Sequence, residues 1–138
     1  MNDYKFNELK IGLKKKTKIK VSKKLLNQFV NLSKDKNPIH LNKKFAQRYN
    51  FKDRIVHGML IGSFYSKFIG VDFPGKNSLI LEICIKFNKP VFIGDVLTIE
   101  GKITSLNKIY KIVNLNLITK NQQKKRVSTS EIIVKLNE

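Results

Sequence analysis

The hydrophobic period of this chain changes once, near residue 76, and this change decides the fold class. Before it, the stretch 59–71 is apolar around most of a helical circumference, which predicts a helix largely surrounded by protein. After it, apolar and polar residues alternate in the stretches 79–88, 96–105, 108–120 and 126–136, as in half-buried strands. We therefore predict an α+β fold in which a curved antiparallel meander wraps around a central buried helix.

The first half of the chain predicts one strand and two further helices. Residues 15–22 alternate apolar residues with lysine and suit a strand, while Ser22 can cap a helix that ends near Ser33. Asn42 can cap a second, shorter helix. Between these helices, Pro38 is expected to hold its neighbours in a loop outside helical geometry. The chain shows no repeat and no boundary, so we expect one domain over residues 1–138.

The formal charge of +18 would suit a nucleic-acid-binding protein, but the type of basic residue argues against this function. Arginine is the better residue for bidentate recognition of phosphates and bases. Of the 28 basic residues, only three are arginines: Arg48, Arg54 and Arg126. A positive field would equally attract an anionic nucleotide such as coenzyme A or an acidic carrier protein. We therefore do not expect nucleic acid as the partner.

Other features of the sequence concern location and cysteine chemistry. No apolar run reaches the roughly 18 residues that a membrane span requires, so we expect no membrane association. The amino-terminal residues lack the apolar core of a signal peptide, which predicts a cytoplasmic protein. The one cysteine, Cys84, cannot form an internal disulfide and lies in an alternating stretch, where a core position is more typical than a nucleophile.

The chain concentrates its chemically versatile residues between Ser33 and Leu60, where both of its histidines lie. Asp35 and His40 flank Pro38 and could converge on a water molecule, since carboxylate and imidazole both exchange protons. The alternative is that Asp35 merely caps a turn. Gly58 opens the predicted buried helix, whose free N–H groups and dipole could hold a carbonyl oxygen. It could also be only a packing glycine.

Four segments together resemble a known family: SKDKNPIH at 33–40, FA at 45–46, RIVHGML at 54–60 and FNKPVFIGD at 87–95. They are similar to the signature of the MaoC-type (R)-specific enoyl-CoA hydratases and dehydratases, which have the hotdog fold. The resemblance covers about residues 10–137.

This resemblance implies a role for each matching residue. Asp35 and His40 would activate a water, and the N–H of Gly58 would bind the thioester carbonyl. Asn37 would order the loop, and Ser66 matches a serine near the family's active site. His57 would be structural.

The resemblance also implies a function, namely reversible (R)-specific hydration of trans-2-enoyl-CoA by a homodimer or higher homo-oligomer, without metal or other cofactor. Two alternatives stay open. One is a 3-hydroxyacyl dehydratase acting on acyl carrier protein, and the other is a non-catalytic module that binds acyl-CoA or nucleic acid. Leu60, Phe64 and Phe68 are candidates to close the acyl pocket.

Overall fold

The computed structural model describes residues 1–137, in which five strands form one antiparallel sheet. The strands are β1 (Lys14–Lys20), β2 (Ser78–Phe87), β3 (Val96–Asn107), β4 (Ile112–Lys120) and β5 (Arg126–Leu136), and their spatial order is β1-β3-β4-β5-β2. The predicted meander is therefore confirmed for β3, β4 and β5 and is wrong for β2, which pairs with β5.

The segment 88–95 explains why β2 and β3 do not form a hairpin. Its main chain bonds elsewhere: the Val91 carbonyl accepts from the N–H of Val56 at 2.8 Å, and the Gly94 N–H donates to the carbonyl of Val21 at 2.8 Å. These bonds hold the segment against the helical half of the chain, so the two strands are separated in the sheet.

Four α-helices precede β2: α1 (Lys23–Ser33), α2 (Pro38–Leu41), α3 (Lys43–Arg48) and α4 (Gly58–Lys67), the last continued by a π-helical turn at Phe68–Asp72. A short 3₁₀ turn, Phe6–Glu8, precedes β1. The two predicted caps are confirmed. Ser22 Oγ accepts from the N–H of Leu25 at 3.2 Å, and Asn42 Oδ1 accepts from that of Phe45 at 3.0 Å.

The prediction that Pro38 keeps its neighbours out of helical geometry is wrong for His40. Pro38 is the first residue of α2, a position that suits proline because its missing N–H needs no acceptor there. Asn37 caps this helix, its Oδ1 accepting from the N–H of Ile39 at 3.1 Å. Asp35 therefore lies on a loop, whereas His40 lies on the short helix that follows.

The predicted central helix is confirmed: α4 packs into the concave face of the sheet. Six apolar side chains of α4 and the π-helical turn are at most 8% exposed and meet the buried residues of β3, β4 and β5, namely Leu60, Ile61, Phe64, Tyr65, Phe68 and Ile69. Met59 and Val71 are exposed instead. The hydroxyl of Tyr65 is bonded to Thr119 Oγ1 at 2.8 Å and to Ser128 Oγ, and burial raises its pKa. This buried network fixes α4 against β4 and β5.

The two edge strands of the sheet differ in chemistry. The β1 edge has the sequence KKKTKIK, five lysines in seven residues. The β2 edge exposes large apolar side chains instead, with Leu79 50%, Leu81 52% and Ile83 39% exposed. Cys84 is also exposed there, so its predicted core position is wrong, because an edge strand leaves most of its side chains uncovered. Charge protects a sheet edge from added strands, and β2, with Glu82 and Lys86 as its charged residues, has less of this protection than β1.

Across residues 1–137, the structure contains no helix with the length and apolar character to cross a membrane.

Candidate active site

The loop after α1 places Asp35 at the end of that helix. Lys34 has a left-handed conformation (φ 61°) that ends α1 and turns the chain. Ser33 Oγ donates to the carbonyl of Phe29 at 2.8 Å and accepts from the N–H of Asp35 at 3.2 Å. One carboxylate oxygen of Asp35 accepts from the N–H of Asn37 at 3.1 Å. The Asp35 side chain remains half exposed, with its other oxygen available to a small polar molecule.

The ring of His40 is held in one tautomer by the main chain. Its Nδ1 lies 2.8 Å from the carbonyl oxygen of Ile55. Because a carbonyl can only accept, Nδ1 carries the hydrogen, and Nε2 of the neutral ring offers a lone pair. Burial lowers the pKa of His40 below 6.5, assisted by nearby His57 and opposed by the Ile55 bond and by Asp35. His40 is therefore suited to accept a proton at neutral pH.

His57, which immediately precedes α4, is a buried member of the same cluster. Its side chain is 2% exposed, and its Nε2 lies 3.0 Å from the Asp35 carbonyl oxygen and 3.8 Å from Asp35 Oδ2. Its ring stacks on that of His40, with centroids 3.7 Å apart and planes inclined by 27°. Nδ1 of His57 is buried and finds no hydrogen-bond partner within residues 1–137. The Nε2–H therefore donates to the Asp35 carbonyl.

One small molecule could contact three side chains at once, those of Asp35, His40 and His57. One polar atom from each lies within 4.8 Å of the others. A water molecule between the Asp35 carboxylate and His40 Nε2 could donate one O–H to each, since both groups are acceptors. The three residues are also of types that ligate metal ions. The expectation that no metal is needed stays a prediction.

The amino-terminal end of α4 provides hydrogen-bond donors beside this cluster. Gly58 is the first residue of α4, so the helix offers no acceptor for its N–H, and His57 provides no side-chain cap. The positive end of the helix dipole lies behind the same group. A Cβ on residue 58 would lie 2.8 Å from Cζ of Phe87. Because glycine has no Cβ, the Phe87 ring can pack against the start of α4. A side chain at residue 58 would displace the Phe87 ring, which borders the place where a carbonyl oxygen would meet the Gly58 N–H.

Two cavities meet at Gly58. The first, here the catalytic cavity, has a volume of about 340 Å³ and is lined by Asp35, His40, His57 and Gly58 with apolar Phe29 and Met59. The second, here the apolar cavity, has a similar volume of about 340 Å³ and is lined chiefly by Phe51, Ile55, Val56, Ile61 and Val91. His40, Gly58 and Phe87 border both. A substrate can therefore place its reactive bond in the first cavity and extend into the second.

Comparison with known proteins identifies the family. The sequence profile of the MaoC-like domain matches residues 6–126. The chain belongs to the MaoC-like domain family. It is 40% identical over 108 residues to an (R)-specific enoyl-CoA hydratase of Aeromonas caviae, covering 78% of this chain and 81% of that protein. It is 37% identical over 101 residues to the enzyme of the same name from Rhodospirillum rubrum, covering 73% and 70%.

Solved structures agree with this assignment. The A. caviae (R)-hydratase involved in PHA biosynthesis superposes on this MaoC-like chain with a TM-score of 0.87 at 36% identity, covering 94% of this chain and 98% of that one. The predicted hotdog fold, with its sheet wrapped around a central helix, is thereby confirmed.

The structure of this MaoC-like chain brings three of the predicted site residues together: Asp35, His40 and Gly58 border one cavity. Asn37 caps the helix that carries His40, as a role in ordering the loop requires. Ser66 lies about two turns along α4 from Gly58, is exposed and lines neither cavity. The catalytic and binding roles of these residues stay predictions.

Sequence reasoning did not place His57 and Phe87 in the site. The resemblance implies a structural role for His57, and the structure shows that it contacts both members of the predicted catalytic pair. Phe87 lies at the end of β2, far from the histidines in sequence. Its one signal was its position at the start of the later segment that resembles the family. Leu60, Phe64 and Phe68, the predicted pocket residues, face the core and line neither cavity.

Proposed function

We propose that this chain is an (R)-specific enoyl-CoA hydratase, a lyase that reversibly adds water to a trans-2-enoyl-CoA thioester to give an (R)-3-hydroxyacyl-CoA. The observation that carries the proposal is the meeting, in one cavity, of the Asp35 carboxylate, the lone pair of His40 Nε2 and the N–H end of α4. Both relatives described above bear the name of this activity.

The Gly58 N–H polarises the thioester carbonyl. It donates a hydrogen bond to the oxygen, with the α4 dipole behind it, and so makes C3 of the enoyl group electrophilic. As C3 is attacked, the double-bond electrons move towards the carbonyl and the negative charge collects on its oxygen. The same N–H stabilises that charge, which is larger in the transition state than in the substrate.

Asp35 and His40 handle the water and its proton. The water oxygen bonds to C3 while Asp35 takes the proton that the water loses. His40 accepts this proton on Nε2 and delivers it to C2, so one O–H bond and the C2–C3 π bond break while one C–O and one C–H bond form. The pair returns to its starting state without an external acid, and the dehydration follows the same steps in reverse.

Activity measurements on two variants test this assignment. The hydration of crotonyl-CoA removes the enoyl absorbance, and Asp35→Asn and His40→Gln should each lower kcat by about 10²–10⁴ if they carry the proton transfer. Lys102→Gln, an exposed substitution on β3, is the control and should keep full activity. Full activity in both site variants would exclude these roles.

The carrier-protein dehydratase is the weaker alternative, because both relatives above are named for CoA substrates. Rates on crotonyl-CoA and on the crotonyl carrier protein compare the two directly.

We also propose that the chain is a homodimer, or a higher homo-oligomer that contains this dimer, in which two β2 edges join the sheets of two copies. The largely apolar β2 edge supports this arrangement, since exposed edges with apolar side chains invite strand pairing. Sedimentation should give a dimer or a multiple of it, whose β2 contact Leu81→Lys on β2 dissociates and Lys18→Ala on β1 does not. A monomeric wild type would refute it.

A cytoplasmic location and one domain over residues 1–138 are further parts of the proposal. The exposed free thiol of Cys84 suits a reducing compartment. One apolar core in residues 1–137 supports a single domain, and cell fractionation and limited proteolysis test the two statements.

A further inference from the structure

A third cavity, here the lysine cavity, adjoins the apolar cavity and shares no lining residue with the catalytic cavity. Its volume is about 240 Å³, and three of its lining residues are Lys52, Lys89 and Lys125. Lys89 and Pro90 line both this cavity and the apolar one. The three cavities therefore follow one another as catalytic, apolar and basic spaces.

The three lysines come from separate parts of the fold. Lys52 lies in the loop before α4, Lys89 follows β2, and Lys125 ends the hairpin loop between β4 and β5. All three are exposed, and none lies within 4 Å of a carboxylate oxygen of residues 1–137. The fold thus collects three positive charges at one place without pairing them to acids.

The one acidic residue that lines the lysine cavity is already engaged. Asp95 is 6% exposed, and its carboxylate accepts from the N–H of Phe92 at 2.9 Å and from the amide of Gln122 at 2.9 Å. The Lys52 ammonium lies 4.4 Å from the centroid of the Phe92 ring, a cation–π contact that orients the lysine but leaves its charge uncompensated. The cavity as a whole therefore favours an anion.

We propose that the lysine cavity binds the phosphate groups at the nucleotide end of the acyl-CoA substrate. This inference rests on the proposed function, and it names where the part of the substrate remote from the reaction is held. An acyl-CoA thioester consists of a thioester, a neutral pantetheine arm and a phosphorylated nucleotide. The catalytic, apolar and lysine cavities present partners for these three parts in the same order along one path.

The proposal predicts a specific pattern in the kinetics. A contact with phosphates remote from the reacting bond binds substrate and transition state equally, so its loss raises KM and leaves kcat unchanged. The same loss cannot affect a substrate that lacks the phosphates. Because the lysines are exposed, the contact is also weakened by salt.

The experiment compares crotonyl-CoA with crotonyl-pantetheine, which has the thioester and the arm but no phosphate. The test variant carries Lys52→Gln, Lys89→Gln and Lys125→Gln. The control carries Lys102→Gln, Lys108→Gln and Lys135→Gln, three exposed lysines away from the cavity, and so loses the same charge. Circular dichroism checks that both fold.

We expect the test variant to raise KM for crotonyl-CoA about 10-fold or more, since charge-assisted phosphate contacts are strong, and to leave KM for crotonyl-pantetheine unchanged. The control should resemble the wild type with both substrates. Adenosine 3′,5′-bisphosphate should inhibit the wild type competitively and the test variant about 10-fold less well.

Two results would overturn the inference, namely an equal effect of test and control variants on crotonyl-CoA, or an equal rise in KM for both substrates. A wild type that hydrates neither substrate would instead refute the proposed function. If KM rises for crotonyl carrier protein but not for crotonyl-CoA, the lysines bind an acidic protein and the proposal fails.

Discussion

The ring of His57 stacks on the ring of His40 at a centroid distance of 3.7 Å, and this contact joins the two halves of the site. His40 belongs to α2, and His57 directly precedes α4 and Gly58. The Nε2 of His57 also donates to the Asp35 carbonyl at 3.0 Å. One buried side chain thus touches both members of the proposed proton-transfer pair and is adjacent to the proposed carbonyl donor. We infer that His57 is a positioning residue.

Replacing His57 by phenylalanine tests this role. The substitution keeps a flat ring against His40 but removes the donor to the Asp35 carbonyl, which would release the loop that carries the carboxylate. We expect kcat to fall about 10- to 100-fold, because small misplacements of catalytic groups have effects of this size. KM should change little. Steady-state kinetics on crotonyl-CoA measure both.

His57→Gln is the matched variant, since its amide can donate in place of Nε2 and should recover part of the lost kcat. A purely structural residue would lower the melting temperature of both variants without this recovery. Wild-type kcat in His57→Phe would contradict the positioning role.

The lowered pKa of His40 predicts how activity depends on pH. Burial disfavours the charged ring, so the folded-state pKa lies below 6.5, and the ring that accepts a proton remains available at pH 6.5. The acidic decline of kcat/KM should therefore have its midpoint at the folded-state pKa of His40, below pH 6.5. The stability that neutral His40 contributes is complete above the unfolded-state pKa and is lost over the same lower range.

Titration of the imidazole NMR signals measures this pKa directly. His40→Gln assigns the two histidine signals, and the urea-unfolded chain gives the reference pKa near 6.5. A folded-state pKa of 6.5 or higher for His40 would contradict the prediction.

The contact between Gly58 and Phe87 predicts a coupled pair of mutations. In Gly58→Ala the new methyl group would meet the tip of the half-exposed Phe87 ring, which must then shift at the place where it borders both cavities. We expect kcat/KM to fall about 10- to 100-fold while stability changes little. Phe87→Ala removes the clash, so the double mutant should lose less activity than the sum of the single losses.

Gly62→Ala is the control for this pair. It lies one turn further along α4, where a Cβ would be 3.1 Å from Cδ1 of Ile85, and it lines neither cavity. Its activity should remain near that of the wild type. Strictly additive losses in the Gly58→Ala, Phe87→Ala double mutant would show that Phe87 is not the cause.

Gly75 is predicted to be required for stability. Its φ of +103° disfavours any side chain, and a Cβ there would overlap the main-chain carbonyl of Asn2. The contact involves backbone, so it cannot be relieved by a side-chain rotation. We expect Gly75→Ala to lower the free energy of unfolding by about 2–4 kcal/mol, measured by urea denaturation.

Gly70→Ala provides the comparison, because a Cβ at residue 70 meets no atom within 4 Å and its φ is not positive. It should be neutral or stabilising by up to about 1 kcal/mol. Equal unfolding free energies for the two variants would refute the argument.

Periodicity predicted the elements of the fold better than their pairing. The alternation in 79–88 identifies β2 as a strand but contains nothing about its partner. Short turns join β3 to β4 and β4 to β5, so the pairing of these strands could be predicted from sequence. The β2–β5 pair depends on tertiary bonds of the segment 88–95, such as that between Val91 and Val56. Pro38 was misjudged because proline ends helices and also begins them.

The proposed reacting groups could be predicted from sequence because they belong to short motifs. The residues that line the cavities around them could not be predicted in this way. Asp35, His40 and Gly58 lie within two local segments whose resemblance to the family was visible. The orientation of α4 about its axis is decided by packing on the sheet. That packing turns Ile61 towards the apolar cavity and Phe64 and Phe68 towards the core. Phe87 reaches Gly58 from a strand that follows α4 in sequence, and no local pattern records this contact.

The lysines of β1 have a consequence for how far copies of this chain can assemble. If two copies join through β2, each still presents its β1 edge, and there a further strand would face a row of five lysines, of which Lys14 and Lys16 share one acid, Glu100, within residues 1–137. Repulsion at that row would stop the sheet from extending beyond the pair. A two-fold contact closes on itself, whereas sheets that join at both edges grow into fibres. The lysine edge would therefore limit the continuous sheet to two copies and prevent fibre growth.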